Sequence, residues 1–286
     1  MKYSEKNKAE NTFVLDRRVL NRFLKFAGDL NMDGLSGFIL EKFKHERLKN
    51  KKRSTVNFEI SKVKAFTSWC EKIGYVAADP LKHVSRVKEE PRDVRVLSAD
   101  EEEALLTCSP PRTRFFIEIA LNTGMRHREI LNLKWSDIDF KNRILSVKKS
   151  KTGDNRDIPI NSRLYAVLSE TQERRVGDWV ISRDGKKMVT AEVGFNSAVR
   201  RAGIPHIRIH DLRHTFITNL LHAKVDARTI MEFSGHKTYS MFTKYSHPQS
   251  DHKKQAIERL ADTTDCKNFG RILETLPDKK NSDSDK

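Results

Sequence analysis

Cysteine is scarce in this chain of 286 residues, which contains only Cys70, Cys108 and Cys266. Their number is odd and no pair has the C-x-x-C spacing, so the sequence predicts neither a disulfide framework nor a zinc site. This usage is typical of a protein from a reducing compartment, and we expect the cytoplasm.

Long apolar runs are also missing. No stretch approaches the ~18–20 residues of a membrane span, and the first residues, M-K-Y-S-E-K-N-K, lack the apolar core of a signal peptide. There is no P-loop. Asp137 and Asp139 in W-S-D-I-D could imitate paired metal ligands, but no third acid follows at a suitable spacing, and we interpret them as turn or cap residues. We therefore expect no membrane contact, no metal and no other cofactor.

Basic residues are abundant. The chain has 55 Lys and Arg against 39 Asp and Glu, a net charge of +16 and a pI of about 9.7. Residues 1–95 hold 22 basic and 13 acidic residues, so the excess is shared by both halves. A field of this sign favours a polyanion, most commonly nucleic acid. An anionic membrane is the alternative, but no basic amphipathic helix with a clean apolar face stands out.

The periodicity of apolar residues predicts two domains. The first, residues 1–84, shows three helical segments: one from Thr12, one from Phe38 to Leu48, and one that Ser54 could cap. Residues 85–96 are charged and lack apolar periodicity, and we interpret them as a linker. The second domain spans 97–262, and the polar tail 263–286 is predicted to be disordered.

The second domain opens with a capping-box pattern, Ser98 followed three residues later by Glu101. Residues 113–123 are apolar enough for a buried helix. Two strands, 143–147 and 157–160, are predicted on either side of T-G-D-N. Helical patterns follow near 161–175, 190–202, 211–222 and 226–234. The predicted fold class is mainly α (α+β), with an all-helical first domain and a mostly helical second domain that contains a small antiparallel sheet.

Two arginines could hold a phosphate group. The planar guanidinium donates paired hydrogen bonds and stays charged, and both Arg126 and Arg213 lie near predicted helix starts. Glu129 shares a helix face with Arg126 and could hold it in place; the alternative is an ordinary surface ion pair. His210, three residues before Arg213, offers a proton acceptor on the same face. The alternative is a simple helix start with Asp211 near the cap.

A nucleophile and an acid complete the set that a metal-free attack on a phosphodiester needs. Tyr245 lies nine positions after His236 and is the candidate nucleophile, with Tyr239 as its local rival. Nearby cations would help the phenol to ionise; the alternative is a buried tyrosine with a hydrogen-bonded hydroxyl. His236 could donate to the phosphate or be a turn residue. Lys151 could protonate the leaving oxygen, or could belong with its neighbouring lysines to a basic turn that faces DNA.

The joint pattern resembles the tyrosine site-specific recombinases of the phage-integrase family. The resemblance covers roughly 97–250, and its motifs occur in the family's order. They are T-G-M-R-H-R-E-I-L-N-L-K-W-S-D-I-D at 123–139, S-K-T-G at 150–153, H-D-L-R-H-T-F-I-T at 210–218, S-G-H at 234–236, and Tyr245. The helical segment 10–84 is similar to the family's core-binding domain in size, position and helicity.

The resemblance implies a role for each candidate. Arg126, Arg213 and His236 would bind the scissile phosphate of double-stranded DNA, and Tyr245 would attack it to form a 3′-phosphotyrosine and a free 5′-hydroxyl. Three further residues would assist: Lys151 as the acid, His210 as the base, and Glu129 as a support. The covalent link would let strands be exchanged without ATP or metal.

The resemblance also implies an assembly. Family members commonly act as homotetramers on paired sites, and residues 252–262 are a candidate for a segment passed to a neighbouring protomer. E-F-S-G-H replaces the family's more usual leucine-rich run before G-H. Because no further domain is expected before residue 10, a recombinase with short core sites is favoured over an integrase that also binds distant arm sites. The need for an accessory directionality factor stays open.

Two other functions fit the same residues in part. A protein of the same fold could only bind DNA, although a binder has no need of Tyr245 or Lys151. A type IB topoisomerase-like enzyme would use similar groups to nick and close one duplex. The target site, its spacer, the choice between mobile-element integration and dimer resolution, and delivery of Tyr245 in cis or in trans all stay open.

Overall fold

The computed structural model describes residues 8–28, 31–90, 94–148 and 155–242. The chain divides into two units, Met1–Arg92 and Asp93–Lys286. Three predicted segments lie outside the described residues: the disordered tail 263–286, the exchanged segment 252–262 and most of the T-G-D-N turn.

Three helices form the first unit: α1 (Glu10–Ala27), α2 (Gly37–Leu48) and α3 (Arg53–Lys72). Their apolar faces share one core, in which the rings of Phe23 and Phe43 meet edge to face with centroids 5.3 Å apart. The prediction of three helices is confirmed, but the prediction that Ser54 caps the third is wrong. The N–H groups of Thr55 and Val56 both bond to the carbonyl of Lys52, so α3 begins before Ser54.

Buried acids hold basic side chains on this unit. Asp16 is 4% exposed and pairs with Lys62 at 2.8 Å, and Glu59 is 2% exposed and pairs with Arg47 at 2.7 Å. Burial alone would raise the pKa of Asp16, but its lysine partners lower it below the ordinary value. A buried carboxylate without its cation would be costly, so these pairs fix where the cations stand.

The segment that follows α3 packs back onto it. The N–H of Val87 donates to Asn57 Oδ1 at 2.7 Å, and Asn57 Nδ2 donates to the carbonyl of Val87 at 2.8 Å. These two reciprocal hydrogen bonds satisfy the side-chain amide of the buried Asn57. The first residues of segment 85–96 are therefore held on the first unit.

The second unit is mostly helical. Its described helices are α4 (Ala99–Thr107), α5 (Pro111–Thr123), α6 (His127–Leu131), α7 (Ser162–Glu173), α8 (Glu192–Ala202), α9 (Ile209–His222), α10 (Ala227–Ser234) and α11 (Tyr239–Phe242). The predicted capping box at the start of α4 is confirmed, since Ser98 Oγ accepts from the Glu101 N–H and Glu101 accepts from the Ser98 N–H.

The apolar helix predicted over 113–123 is α5, and it runs through the core of this unit. Every residue from Phe115 to Leu121 is buried. Helix α5 packs against α9, α7 and α8. Because α5 is covered on several sides, it gives α9 and the residues at its own end a rigid support.

The sheet of the second unit has three antiparallel strands in the order β1 (Ile138–Asp139), β2 (Ile144–Val147) and β3 (Arg156–Pro159). Leu145 lies opposite Ile158, and both are buried in the core. The two predicted strands correspond to β2 and β3, whereas β1 was not predicted.

A second hairpin, β4 (Ser182–Arg183) and β5 (Lys186–Lys187), was also not predicted. Its turn residues Asp184 and Gly185 have φ values of 53° and 75°. Asp-Gly with both φ angles positive is the sequence signal of a tight hairpin, so the signal was present in the chain.

The predicted fold class is confirmed: the described residues are mainly helical with small antiparallel sheets. Among these residues, no helix is both long enough and apolar enough to cross a membrane.

Candidate active site

Arg213 is the buried centre of the candidate site. The residue is 2% exposed and lies in α9, which packs against both α5 and α10. Its Nη1 donates to the carbonyl of Gly124 at 2.8 Å, and its Nη2 lies 3.3 Å from Nε2 of His236. The guanidinium therefore joins the end of α5 to the turn that follows α10.

Arg126 approaches the same turn from the other side. It stands immediately before α6 with 43% of its side chain exposed, and its Nη2 donates to the carbonyl of Gly235 at 2.9 Å. Glu129, in the first turn of α6, accepts from Nη1 of Arg126 at 2.9 Å and from the Arg126 backbone N–H at 2.8 Å. The predicted helix start with Glu129 beside Arg126 is observed.

Two glycines make these contacts possible. Gly124 has φ 61° and Gly235 has φ 68°, a backbone conformation that side chains disfavour. A Cβ on Gly124 would lie 2.3 Å from the ring of Phe216, and a Cβ on Gly235 would lie 3.1 Å from Nη1 of Arg156. Each glycine ends a helix and turns its carbonyl toward an arginine.

Three histidines beside the arginines are neutral at pH 7. Burial and then the charges of Arg213 and Arg126 lower the pKa of His236 to about 4. Burial and the neighbouring His210 lower the pKa of His214 to about 4. The pKa of His210 is lowered by burial and then by Arg213. The rings of His210 and His214 meet edge to face at 4.7 Å, and Nδ1 of His236 lies 2.8 Å from Oγ of Ser234.

Arg156 also belongs to this site, and sequence reasoning missed it. It opens β3, with 9% of its side chain exposed. Its Nη2 donates to Glu129 Oε2 at 2.6 Å, and its Nε donates to the carbonyl of Phe233 at 2.8 Å. Burial alone would raise the pKa of Glu129, but Arg156 and Arg126 lower it to about 2. Arg156 lies five positions after Lys151, and its nearness in sequence to that lysine was the available signal.

A cleft of about 1060 Å³ opens beside these residues between α6, the sheet and the end of α10. Basic side chains outnumber acidic ones on its wall. The basic ones are Arg126, Arg128, Lys134, Lys148, Arg156 and Lys237, and the acidic ones are Glu129, Asp137 and Glu232. A cleft lined in this way suits an anionic chain.

Five of the seven predicted site residues are therefore described and lie on the elements that meet here: Arg126, Glu129, His210, Arg213 and His236. Lys151 and Tyr245 lie outside the described residues. The last described residue is Phe242, which is 1% exposed. Tyr239, the rival of Tyr245, is 59% exposed, with its ring 6.0 Å from that of Phe242.

Asp137 and Asp139 have the structural contacts expected of turn and cap residues. Asp137 accepts from the Lys134 N–H at 3.0 Å and pairs with Lys148. Asp139 accepts from the Asn142 N–H at 2.9 Å. In the part of the chain that the structure describes, no group of three His, Cys, Asp or Glu side chains could hold a metal ion.

The buried histidines predict an acid-sensitive fold. The pKa values of His214 and His236 fall from 6.5 to about 4 on folding, so the unfolded chain binds protons first as the pH drops. Their contribution to stability is full above about pH 6.5 and is lost as the pH falls toward 4. We expect the free energy of unfolding to decrease by roughly 1–2 kcal/mol from pH 7 to 5, after allowance for solvent screening.

Urea unfolding of the full chain at pH 7, 6 and 5 measures this decrease. The variant His214→Asn removes one of the two histidines and should flatten the dependence on pH. An unchanged slope in that variant would contradict the assignment.

Comparison with known proteins identifies the family of this chain. The profile described as "Phage integrase family" matches residues 95–252, more than half of the chain. The chain belongs to the phage integrase family, and it is a tyrosine recombinase, an enzyme of site-specific DNA recombination. The resemblance seen in the sequence motifs is thereby confirmed.

Curated relatives carry the same class name. "Tyrosine recombinase XerA" of Pyrococcus furiosus is 32% identical over 179 residues, which cover 57% of this chain and 60% of that protein, less than two thirds of its length. "Tyrosine recombinase XerA" of Thermococcus onnurineus is 29% identical over 264 residues, which cover 88% of this chain and 90% of that protein.

Solved structures share the fold. The Tn1549 transposon integrase in complex with a circular intermediate DNA has a TM-score of 0.79 at 20% identity, covering 90% of this chain and 97% of that one. A lambda integrase tetramer bound to a Holliday junction has a TM-score of 0.74 at 19% identity, covering 85% of this chain and 73% of that one.

Proposed function

We propose that this recombinase cleaves and rejoins DNA strands through a 3′-phosphotyrosine formed on Tyr245. One observation carries the proposal: two arginines that are far apart in sequence meet at the Gly235–His236 turn. Arg126 donates to the carbonyl of Gly235, and Arg213 contacts the ring of His236. Two guanidinium groups and a histidine around one point form a phosphate site, because their donors can neutralise the charge that develops on the non-bridging oxygens.

Arg126 and Arg213 have different parts in this site. The partly exposed side chain of Arg126 can bind a phosphate from the cleft, while the guanidinium of Arg213 is buried and is held in place for the same phosphate by the carbonyl of Gly124. His236, neutral at pH 7, can donate one ring N–H without adding charge. Glu129 orients Arg126 through two hydrogen bonds. Orientation before the reaction lowers the entropy cost of reaching the transition state.

Proton transfer completes the reaction. His210 is the proposed base, because its lowered pKa leaves the ring neutral and able to accept the proton of the Tyr245 hydroxyl. Lys151 is the proposed acid, which gives a proton to the 5′ oxygen as the P–O bond to the sugar breaks. Tyr245 gains the phosphoryl group, and the reverse attack by a 5′-hydroxyl releases the tyrosine, so no ATP or metal is consumed.

The proposed substrate is double-stranded DNA with short paired core sites, acted on by four copies of the chain. The net charge of +16 and the basic cleft support a duplex substrate. The similarity to a lambda integrase tetramer on a Holliday junction supports the tetramer. The outcome is the joining or separation of DNA molecules, by integration and excision or by dimer resolution, in the cytoplasm, with an accessory directionality factor as a further proposed partner.

Covalent trapping tests the proposal. DNA bound by the protein is first selected from a genomic library and sequenced, and the site is then rebuilt as a duplex with a nick near the cleavage point. After cleavage the short fragment diffuses away, so the protein stays attached. We expect a denaturant-stable adduct in EDTA, with the phosphate on the peptide that contains Tyr245.

The other functions give different results. A protein that only binds DNA forms no adduct on its selected site. A topoisomerase-like enzyme forms the adduct but relaxes single supercoiled plasmids without exchanging strands between paired sites. A recombinase gives products whose flanking sequences have been exchanged.

A further inference from the structure

We propose that Arg156 is a positioning residue of the recombinase site, which locks Glu129 to the turn that carries His236 and so aims Arg126 and His236 at one phosphate. The inference rests on the proposed function of that site. It concerns a residue that would contact neither the DNA phosphate nor the tyrosine.

The three guanidinium nitrogens of Arg156 donate hydrogen bonds to two partners, Glu129 and Phe233. Nη1 and Nη2 form a two-pronged contact with Glu129, at 3.2 Å to Oε1 and 2.6 Å to Oε2. Nε donates at 2.8 Å to the carbonyl of Phe233 near the end of α10. A planar guanidinium that uses all three nitrogens has one orientation, so the distance between Glu129 and α10 is set by its size.

The contacts continue through Glu129 and close a ring. Glu129 accepts from Arg126, and Arg126 donates to the carbonyl of Gly235, two residues beyond Phe233. The path therefore runs from Phe233 through Arg156, Glu129 and Arg126 back to the same turn. Removing Arg156 opens this ring and leaves Glu129 with Arg126 as its one remaining charged partner among the described contacts.

Packing around the guanidinium supports the same role. A Cβ on Gly235 would lie 3.1 Å from Nη1 and 3.2 Å from Cζ of Arg156, so the turn rests directly on the guanidinium. Arg156 also pairs with Val147 in the register of β2 and β3, at the base of the hairpin whose sequence contains Lys151. One residue thus ties together the strand pair, the start of α6 and the end of α10.

Two substitutions separate positioning from general stability. Arg156→Met keeps much of the side-chain length and removes every donor, and Arg156→Lys keeps the charge and loses the two-pronged contact. Arg163→Met is the matched control, because Arg163 also pairs with a buried acid of this unit, Glu118, at 2.9 Å, and it does not line the cleft.

The first readout is cleavage of the nicked duplex in a single turnover. We expect Arg156→Met to slow cleavage about 100-fold through misplacement of Arg126 and His236, with DNA affinity within about threefold because one buried cation adds little to binding a long polyanion. The lysine variant should recover part of the rate. Burial, no longer opposed by Arg156, would raise the pKa of Glu129, so the rate of the methionine variant should begin to fall at a higher pH than the wild-type rate.

The second readout needs no cleavage. Ring carbons of labelled histidines are titrated by NMR in the free protein, with His236→Gln to assign the signal. The groups that act on His236 are Arg213, Arg126, His210 and His214. If the turn loosens, the His236 ring becomes more exposed and moves away from Arg126. The pKa of His236 should therefore rise from about 4 by at least about one unit in Arg156→Met, and by less in Arg156→Lys.

The outcomes are distinct. If Arg156→Met lowers only the melting temperature, as we expect of Arg163→Met, and leaves both the pH profile and the His236 pKa unchanged, the positioning role is wrong. If the methionine variant does not fold, the same comparisons in Arg156→Lys decide. A wild-type protein that forms no adduct refutes the proposed function, while the His236 titration still decides whether Arg156 sets the geometry of the turn.

Discussion

Replacing Tyr245 by phenylalanine is expected to remove covalent attachment of the protein to its DNA site. The phenyl ring keeps the shape of tyrosine but has no oxygen to attack phosphorus. Loss of a nucleophile that acts together with its base and its phosphate site costs on the order of 10⁴-fold or more in rate. Adduct formation on the nicked duplex over hours measures the change, and DNA affinity should be within about twofold of wild type because the two arginines still hold the phosphate.

Tyr239→Phe is the matched control for this result. Tyr239 is 59% exposed and lies six positions before Tyr245. We expect this variant to form the adduct at a rate within about threefold of wild type, as for a surface substitution without a role in the reaction. Loss of the adduct in Tyr239→Phe with retention in Tyr245→Phe would reassign the nucleophile.

The last described residue, Phe242, is anchored on the helix that carries Arg213. Phe242, three positions before Tyr245, is buried in a cluster with Phe216, Ile217 and Ile230. Phe216 and Ile217 belong to α9, the helix that carries Arg213, and the ring of Phe216 also packs against Gly124. The end of the described chain therefore packs on α9, the helix that contains Arg213.

Arg213→Lys is expected to give the second large effect. A lysine keeps the charge, but it cannot donate to the carbonyl of Gly124, contact His236 and face a phosphate in one fixed plane. We expect cleavage to slow by about 10²–10³-fold, as for the loss of one transition-state donor. Leaving the Gly124 carbonyl without its donor should also lower the free energy of unfolding by about 1–3 kcal/mol.

Single-turnover cleavage and urea unfolding measure these two changes. Arg208→Lys is the control, because Arg208 immediately precedes α9 and pairs with Asp211 at 2.7 Å, with 58% of its side chain exposed. That variant should cleave DNA within about threefold of wild type. A cleavage rate for Arg213→Lys within tenfold of wild type would mean that Arg213 supports the fold and not the transition state.

Local signals in the sequence predicted the helices well. The Ser98–Glu101 capping box and the buried helix before Gly124 both depend on hydrogen bonds or packing within a few residues, and both are present. The Asp184–Gly185 hairpin had an equally local signal, but its strands are only two residues long and show no alternation. Ser54 is not the cap because the carbonyl of Lys52 already accepts the first hydrogen bonds of the helix, so Ser54 lies inside its first turn.

Sequence motifs likewise identified which side chains could perform the chemistry. His210 and Arg213 share one helix, and Arg126 and Glu129 share the start of another, so spacing alone placed each pair. Arg156 was not predicted because its partner Glu129 lies 27 positions earlier and its other contact, Phe233, lies 77 positions later. A lone arginine after a turn is common, and only its long-range partners make it notable.

By itself, the sequence determined the candidate reactive groups, their order, the basic field and most of the elements, because these properties reside in individual residues and in windows a few residues long. The tertiary structure decided that Arg126 and Arg213 meet at the Gly235–His236 turn, that three histidines are neutral, and that Arg156 joins Glu129 to α10. Those features follow from the packing of α5, α9 and α10 into one core, since only that packing brings distant residues together and removes water from around them.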